Sequence, residues 1–266
     1  MSKSSYYEFL NQAQAPQENE IEEKVKKAFW FHKRRYGSRR LVKELGYKKL
    51  IVGRHKVRAI MHKLQLKAIQ PKSFVPKTTQ SHPHLKRCDN LLINREVSHI
   101  NEVWVGDITY IPLQDGSFIY LAVWMDLFSR NIVGWELREN MQKEIIILAF
   151  NKALKKRKPP ENLVVHSDGG GQYDANEFKK IIGNRNFRQS MTRKDNHYDN
   201  AFVESLFSRF KAELLENGAF ENFDEARIES FEYIEAYYNK IRLHSSLGYK
   251  SPLQFEKEWI ERRDKN

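Results

Sequence analysis

The chain has 266 residues, of which 40% are hydrophobic and 12% aromatic, so it can bury the core of one large or two modest domains. It contains no run of about 18 apolar residues, and its N-terminus lacks the apolar core of a signal peptide. The single cysteine, Cys88, excludes an intrachain disulfide and a cysteine-rich zinc scaffold. We therefore expect a cytoplasmic protein that does not enter a membrane.

The positive charge is concentrated in the first third of the chain. The formal net charge is +12; residues 1–80 hold 19 Lys and Arg against 6 Asp and Glu, whereas residues 81–266 hold 27 against 28. Concentrated positive charge favours phosphate binding, because each neutralised phosphate releases condensed counterions. A basic, solvated face that keeps the protein in solution would give the same composition, so charge alone does not decide between the two.

Residues 1–66 are predicted to form a small helical domain. Apolar spacing predicts a first helix over about 18–35, a second that Ser38 caps and Gly46 ends, and a third from Arg54 to Leu66. The third helix has a buried stripe of Val57, Ile60, Met61 and Leu64. A basic third helix indicates a helix-turn-helix that binds DNA, while a plain three-helix bundle with charged outer faces is the alternative. The residues assigned to DNA contact here are Arg39, Arg40, Arg54, His55, Lys56 and Arg58.

Residues 67–100 are predicted to be a linker and residues 101–266 an α/β domain. Three β-rich runs (EVWVGDITYIPL, SFIYLAVWMDLF and NIVGWEL) predict an antiparallel meander. The later elements are expected as a helix at 143–156, the strand NLVVHS, a helix at 176–182, the strand FRQSM, and helices at 200–215, 224–238 and 252–262. The predicted fold class is therefore α/β, an RNase H-like mixed five-stranded sheet with flanking helices, preceded by the all-α helix-turn-helix domain.

Three acidic residues are candidates for a metal site. Asp107 interrupts an apolar strand, Asp168 follows the strand LVVHS just before three glycines, and Glu204 lies near the start of a helix. A lone carboxylate in a strand is costly unless it is paired, solvated or metal-bound, and a few hard oxygen ligands suit Mg²⁺. Taken singly, each residue is more simply a turn, cap or surface acid; the hypothesis depends on all three converging.

The amino-acid sequence around these acids resembles that of the DDE transposase and retroviral-type integrase core. The matching segments are WVGDITYI, HSDGGGQY and DNAFVESLFSRFKAE, with 35 residues between Asp168 and Glu204. WMDLFSRNIVGW, the closing RLHSSLGY with its flanking Tyr238-Asn239 and Ser251-Pro252, and the N-terminal RRYGSRRLVKEL resemble more closely the second-reading-frame product of insertion-sequence-three family transposases. The resemblance covers about residues 20–256.

The resemblance implies a mechanism and its participants. Asp107, Asp168 and Glu204 would hold two Mg²⁺ ions, with Mn²⁺ as a substitute, and would catalyse cleavage at transposon ends and transfer of the 3′-hydroxyl into target DNA. The partners would be double-stranded DNA and further copies of the chain, as a dimer or higher oligomer, with nucleoid association when DNA is bound. Lys211, seven residues after Glu204, would contact DNA.

Other positions are assigned less directly. His166 and Asn200 flank two of the acids and are expected to orient the substrate or an ordered water beside them. Asn200 and His244 are also assigned to DNA contact, although a helix-start polar residue and a satisfied core histidine are equally good interpretations. Asp195 and His197 depart from the family pattern, which commonly has Gly and Cys there.

Two other functions are compatible with the same residues. One is a catalytically idle DNA-binding regulator or inhibitor of transposition, which the complete acidic triad disfavours. The other is an RNase H-like nuclease that hydrolyses without joining strands. The first-frame product of the family carries a further helix-turn-helix and a leucine zipper, and no such heptad run occurs in this chain. The resemblance therefore leaves two alternatives: the chain works alone, or it is the catalytic half of a frameshift fusion.

Overall fold

The computed structural model describes residues 18–70, 88–192, 201–215 and 218–264. The chain divides into two compact units, Met1–Gln70 and Pro71–Asn266. No helix within the described ranges is long and apolar enough to cross a membrane. The predicted domain limits at residues 66 and 100 stay a prediction, which limited proteolysis can test.

The first unit contains three helices: α1 (Glu18–Phe31), α2 (Ser38–Tyr47) and α3 (Arg54–Lys63). The predicted apolar faces form its core, which contains Ile21, Val25, Ala28 and Phe29 of α1, Leu41 and Leu45 of α2, and Val57 and Ile60 of α3. These side chains bury one stripe of each helix and leave the charged faces in solvent.

Several details of these helices differ from the prediction. Gly37 is the N-cap of α2, and Ser38, the first helical residue, makes no capping hydrogen bond. Gly46 lies within α2 and does not end it. Helix α3 ends at Lys63, so Leu64 is its C-cap and is only partly buried. The helix propensity and apolar spacing of the sequence predict where the helices lie. The residue at which each helix ends depends on its tertiary contacts.

The second unit is built on a mixed five-stranded sheet in the order β3-β2-β1-β4-β5. β1 pairs antiparallel with β2 and parallel with β4, which in turn pairs parallel with β5. The elements in chain order are β1 (Val103–Pro112), β2 (Phe118–Asp126), β3 (Ile132–Arg138), α4 (Lys143–Arg157), β4 (Val164–Ser167), α5 (Asn176–Gly183), β5 (Arg188–Met191), α6 (Ala201–Leu214), α7 (Phe223–Phe231) and α8 (Pro252–Arg263). This is the predicted fold class.

Helices cover both faces of the sheet. One core contains Val103 and Val105 of β1 together with Val203 and Phe207 of α6. The other core lies under α4 and α5 and contains Trp104, Trp124 and Phe150. Because side chains alternate along a strand, the odd-numbered residues of β1 face α6, whereas Trp104 faces α4.

Gly106 allows the second core to close over β1. A Cβ built on Gly106 would lie 2.5 Å from the Trp124 ring, which crosses β1 at this point. The indole nitrogen of Trp124 donates to the carbonyl of Ile146 at 3.2 Å, so the ring is fixed on both sides. Asp107, the residue after this glycine, therefore lies on a strand whose opposite face packs tightly against the Trp124 ring.

The C-terminal segment packs against the α6 side of the sheet. The helix predicted over 224–238 is α-helical only as far as Phe231 and continues as a π-helix, Glu232–Tyr238. Asn239 follows it and both accepts from the backbone N–H and donates to the carbonyl of Ile132, at 2.9 and 3.0 Å. Leu91, Leu92 and Val97, from the range predicted as linker, pack against the same core.

Candidate active site

The two aspartates lie on adjacent strands of the sheet. Asp107 is on β1, the central strand, and is half-buried; Asp168 directly follows β4. The parallel register pairs Gly106 with Ser167, which brings the next residue of each strand to the same level. Val105 and Val164 belong to the core under α6, so alternation places both aspartates on the α6 face.

Glu204 lies on the helix that covers this face. Val203, Leu206, Phe207 and Phe210 of α6 are buried against the sheet, while the Glu204 side chain is exposed. The helix and the two aspartates are therefore on one side of the sheet, as convergence of the three acids requires. Among the described residues, however, no three His, Cys, Asp or Glu side chains stand close enough together to hold a metal ion.

The three acids interact through their charges. Burial raises the pKa of Asp107 well above its ordinary value, and the negative charges of Asp168 and Glu204 raise it further. Its Oδ1 accepts one hydrogen bond, from the backbone N–H of Ile108 at 2.8 Å, and this only partly offsets the shift. Burial and the two neighbouring acids thus disfavour the charged form of Asp107 by more than the Ile108 hydrogen bond and the charge of Lys211 favour it.

The loop after Asp168 fixes one oxygen of this carboxylate. The backbone N–H of Gly170 donates to Asp168 Oδ1 at 3.0 Å, and a Cβ on Gly170 would lie 3.0 Å from the same oxygen. Glycine therefore allows the turn to close tightly beneath the carboxylate. Tyr173, further along this loop, is buried in the core under α4, against Trp124.

Lys211 is the cation of α6 that faces the acids. Its Nζ lies 4.0 Å from the centre of the Tyr110 ring, and the side chain is half-buried. Burial lowers the pKa of Lys211, while the charge of Asp107 acts in the opposite direction. Tyr110, which is three residues after Asp107 on β1, thus holds Lys211 near the acidic group. Tyr110 could not be singled out from the sequence, because an aromatic residue in a strand is its only signal.

A buried ion pair ties α6 to the C-terminal segment. Arg242 donates from Nη2 to Glu213 Oε1 at 2.7 Å and from Nε to Oε2 at 3.0 Å, and Tyr233 donates to Oε2 at 2.8 Å. The side chains of Arg242 and Glu213 are only 3% and 4% exposed. Glu213 is on α6, so this contact sets the position of the helix that carries Glu204. Arg242 belongs to the closing sequence signature, but the signature gave no sign of its partner.

The remaining residues predicted in the core domain have structural contacts. His166 is buried on β4, and its Nδ1 lies 2.8 Å from Ser190 Oγ on β5. The His244 ring packs edge-on against Tyr238 at 4.8 Å, and its Nε2 lies 3.4 Å from Arg242 Nη1. Asn200 and the departures at Asp195 and His197 lie outside the described residues. The roles assigned to His166 and His244 stay predictions.

Most of the basic residues predicted to contact DNA are on the surface of the first unit. Arg39 of α2 is exposed, and Arg40 is half-buried with its guanidinium 5.7 Å from the Tyr36 ring. Along α3 the exposed side chains are Arg54, His55, Lys56 and Arg58. These side chains form a basic face opposite the buried stripe of Val57 and Ile60.

Comparison with curated proteins gives relatives over nearly the whole chain. The transposase for insertion sequence element IS904 from Lactococcus lactis subsp. lactis (strain IL1403) is 39% identical over 239 residues, covering 89% of this chain and 93% of that protein. The transposase InsF for insertion sequence IS3A of Escherichia coli (strain K12) is 38% identical over 230 residues, covering 86% of this chain and 79% of that protein. The chain belongs to the IS3 family of transposases. A further relative, the 31 kDa protein of insertion element IS600 from Shigella sonnei, is 36% identical and covers 97% of this chain and 96% of that protein.

The domains of this IS3-family chain match known domain families. Residues 98–197 match an integrase core domain, residues 185–252 match a second integrase core domain family, and residues 16–74 match an HTH-like domain. The fold is similar to that of a chain in the simian T-cell lymphotropic virus intasome, with a TM-score of 0.50 and 17% identity, covering 88% of this chain and 74% of that one. The predicted family and the predicted fold class are both confirmed.

Proposed function

We propose that this transposase cuts DNA at transposon ends and joins the freed 3′-hydroxyl to target DNA in a reaction that requires a divalent metal ion. Asp107, Asp168 and Glu204 are the proposed catalytic residues. The observation that carries the proposal is the position of Asp107 and Asp168 on adjacent strands, on the sheet face covered by the helix that carries Glu204. Membership of the IS3 family gives the reaction class, and the charges indicate where it takes place.

The donor set fits magnesium. The three candidate ligands are carboxylates, which are the hard oxygen donors that Mg²⁺ prefers. Cys88, the only thiol, pairs with Gln189 and takes no part. A bound divalent cation would also relieve the repulsion between Asp107 and Asp168, in the same direction as the effect of Lys211 on the pKa of Asp107. Two bound Mg²⁺ ions, or Mn²⁺ in their place, would supply activation of the attacking oxygen and stabilisation of the leaving oxygen.

The protein residues would position the reacting groups. Asp107 is fixed on the central strand, and the backbone N–H of Gly170 holds one oxygen of Asp168 in place. In the first step a water oxygen attacks the phosphorus, and the 3′-oxygen leaves and takes a proton. In the second step that 3′-hydroxyl attacks a target phosphodiester and releases the target 3′-oxygen. Lys211, beside Asp107, would bind a phosphate of the DNA.

The test is cleavage and joining of labelled transposon-end DNA in Mg²⁺. Asp107→Asn, Asp168→Asn and Glu204→Gln should each abolish both steps, while DNA binding in EDTA is retained. Glu139→Gln, at an exposed position after β3, removes the same charge and should leave both steps unchanged. Normal activity in any one of the three variants would show that the assignment is wrong.

Metal binding can be measured without activity. A ligand that binds only the folded state raises its stability in proportion to the logarithm of ligand concentration. Mg²⁺ should therefore raise the melting temperature of the wild-type protein and have little effect on Asp107→Asn. Equal stabilisation of both proteins would remove Asp107 from the metal site.

The basic face of the first unit is the proposed DNA-binding surface. The HTH-like match at residues 16–74 and the exposed cations of α3 support this proposal. Oligomerisation on DNA is proposed because two transposon ends must be brought together. Tight DNA binding without metal-dependent cleavage would instead favour the regulator, and hydrolysis without joining would favour the nuclease.

A further inference from the structure

A cavity of about 470 Å³ lies in the second unit, on the side of the sheet covered by α6. Its wall includes the β2–β3 turn, the start of α6 and the start of α8. The rings of Phe128, Phe202 and Phe255 line it, and the first and last of these pack edge to face at 5.2 Å. A cavity of this volume is large enough for a small organic group, and its walls combine the three rings with aliphatic side chains and two arginines.

The Arg130 guanidinium lies on this wall, and none of the described residues forms an ion pair with it. Its Nη1 is fully buried and donates no hydrogen bond to any of the described residues. The guanidinium carbon lies 4.3 Å from the centre of the Phe202 ring. Burial lowers the pKa of the guanidinium. The second arginine of the cavity, Arg95, differs because it forms a 2.9 Å salt bridge with Glu102.

The lack of a partner is informative because buried charges in proteins are normally paired. The backbone of Arg130 is also unfavourable: its φ of 61° lies in the left-handed region, which side-chain-bearing residues rarely adopt. Two unfavourable features thus coincide at one residue on the wall of a cavity. Such coincidences are characteristic of functional sites, where the stability lost in the free protein is recovered on binding.

We propose that the cavity holds one unpaired nucleotide of a DNA strand, with its base against the phenylalanine rings and its phosphate at Arg130. This inference rests on the proposed function, which makes DNA the substrate. Aromatic rings stack on any base, and a guanidinium binds phosphate through paired N–H donors. Phe202 is two residues before Glu204 on α6, so the cavity begins beside the turn of helix that carries the third acid.

Binding to two DNA duplexes in EDTA tests this inference separately from catalysis. One duplex is blunt, and the other has the same sequence with a short unpaired tail. The wild-type protein should bind the tailed duplex more tightly by about tenfold, and Arg130→Met should lose this preference while binding blunt DNA normally. Arg130→Lys should keep part of the preference because it retains the charge. Arg185→Gln, which removes an exposed arginine after α5, should behave as wild type.

Thermal stability gives a second, independent readout. Because Arg130→Met removes an unpaired buried charge and keeps an unbranched side chain, it should raise the melting temperature by about 2–4 °C. A melting temperature below wild type would show that Arg130 has a structural role and would overturn the proposal. An unchanged preference in Arg130→Met, or no preference in the wild type, would also overturn it. None of these outcomes affects the proposed function, which depends on cleavage by the acidic residues. A nucleoside monophosphate that competes for the tailed and blunt duplexes equally would likewise exclude a specific nucleotide site.

Discussion

The buried pair between Arg242 and Glu213 allows the contribution of one contact to the site to be measured. Arg242→Leu would leave the Glu213 carboxylate buried without its arginine, beside the Tyr233 hydroxyl that donates to it. Removing one partner of a buried ion pair typically lowers the free energy of unfolding by about 3–5 kcal/mol. For a domain of this size, that loss corresponds to a fall in melting temperature of about 6–20 °C.

Urea unfolding followed by tryptophan fluorescence is the suitable assay. Trp104 and Trp124 are fully buried in the second unit, so their emission reports the unfolding of that unit. Arg262→Leu is the matched control, because Arg262 is 73% exposed and contacts Glu258 at 3.3 Å. An exposed pair of this kind contributes about 0–1 kcal/mol.

Two results would refute this reasoning. A loss below about 1 kcal/mol in Arg242→Leu would show that the pair contributes no more than a surface contact. If Arg242→Leu and the Arg262→Leu control lowered the free energy of unfolding equally, burial would not determine how much an ion pair contributes to stability. Strand cleavage should fall further in Arg242→Leu than the folded fraction does, because α6 also carries Glu204.

The other predictions concern β1 and the basic face of the first unit. Gly106→Ala places a methyl against the Trp124 ring and should lower the free energy of unfolding by about 1–3 kcal/mol, whereas Gly183→Ala, with open space around it, should be neutral in the same urea titration. The raised pKa of Asp107 means that the folded state holds its proton more tightly, so stability should fall as pH rises from about 4 towards that pKa. Melting curves in EDTA should show this slope in the wild type and a weaker one in Asp107→Asn; identical slopes would contradict it. Replacing the three cations of residues 54–58 by Gln should reduce the salt dependence of DNA binding by about one ion per lost phosphate contact, and an unchanged slope would refute the role of α3.

The sequence predicted the strands and their order well because their patterns are local and strong. The runs around Asp107 and Val123 are rich in β-branched and aromatic residues, and turn residues separate them. The mixed sheet then follows from strand–helix–strand connections, which leave few alternative topologies. Helix ends were less predictable: Gly46 is a typical stop signal, but α2 continues through it because Leu45 and Leu50 are buried on either side.

The candidate site was predicted in part. The acids could be chosen because Asp107 stands out in an apolar strand and because motifs flank each acid. Their distances could not be predicted, since these depend on the packing of α6 against the sheet. The ion pair between Glu213 and Arg242 and the missing ion pair of Arg130 could not be predicted from the sequence either. Contacts between distant residues, whether made or missing, leave no periodic pattern in a single sequence.

The contact between Glu213 and Arg242 spans 29 positions along the chain. During synthesis, the ribosome therefore releases the helix bearing Glu204 well before it releases the arginine that fixes this helix in place. A nascent chain that has already exposed all three acids still lacks the last constraint on their arrangement. The helix of the proposed active site is therefore fixed by this ion pair only after the C-terminal segment has emerged.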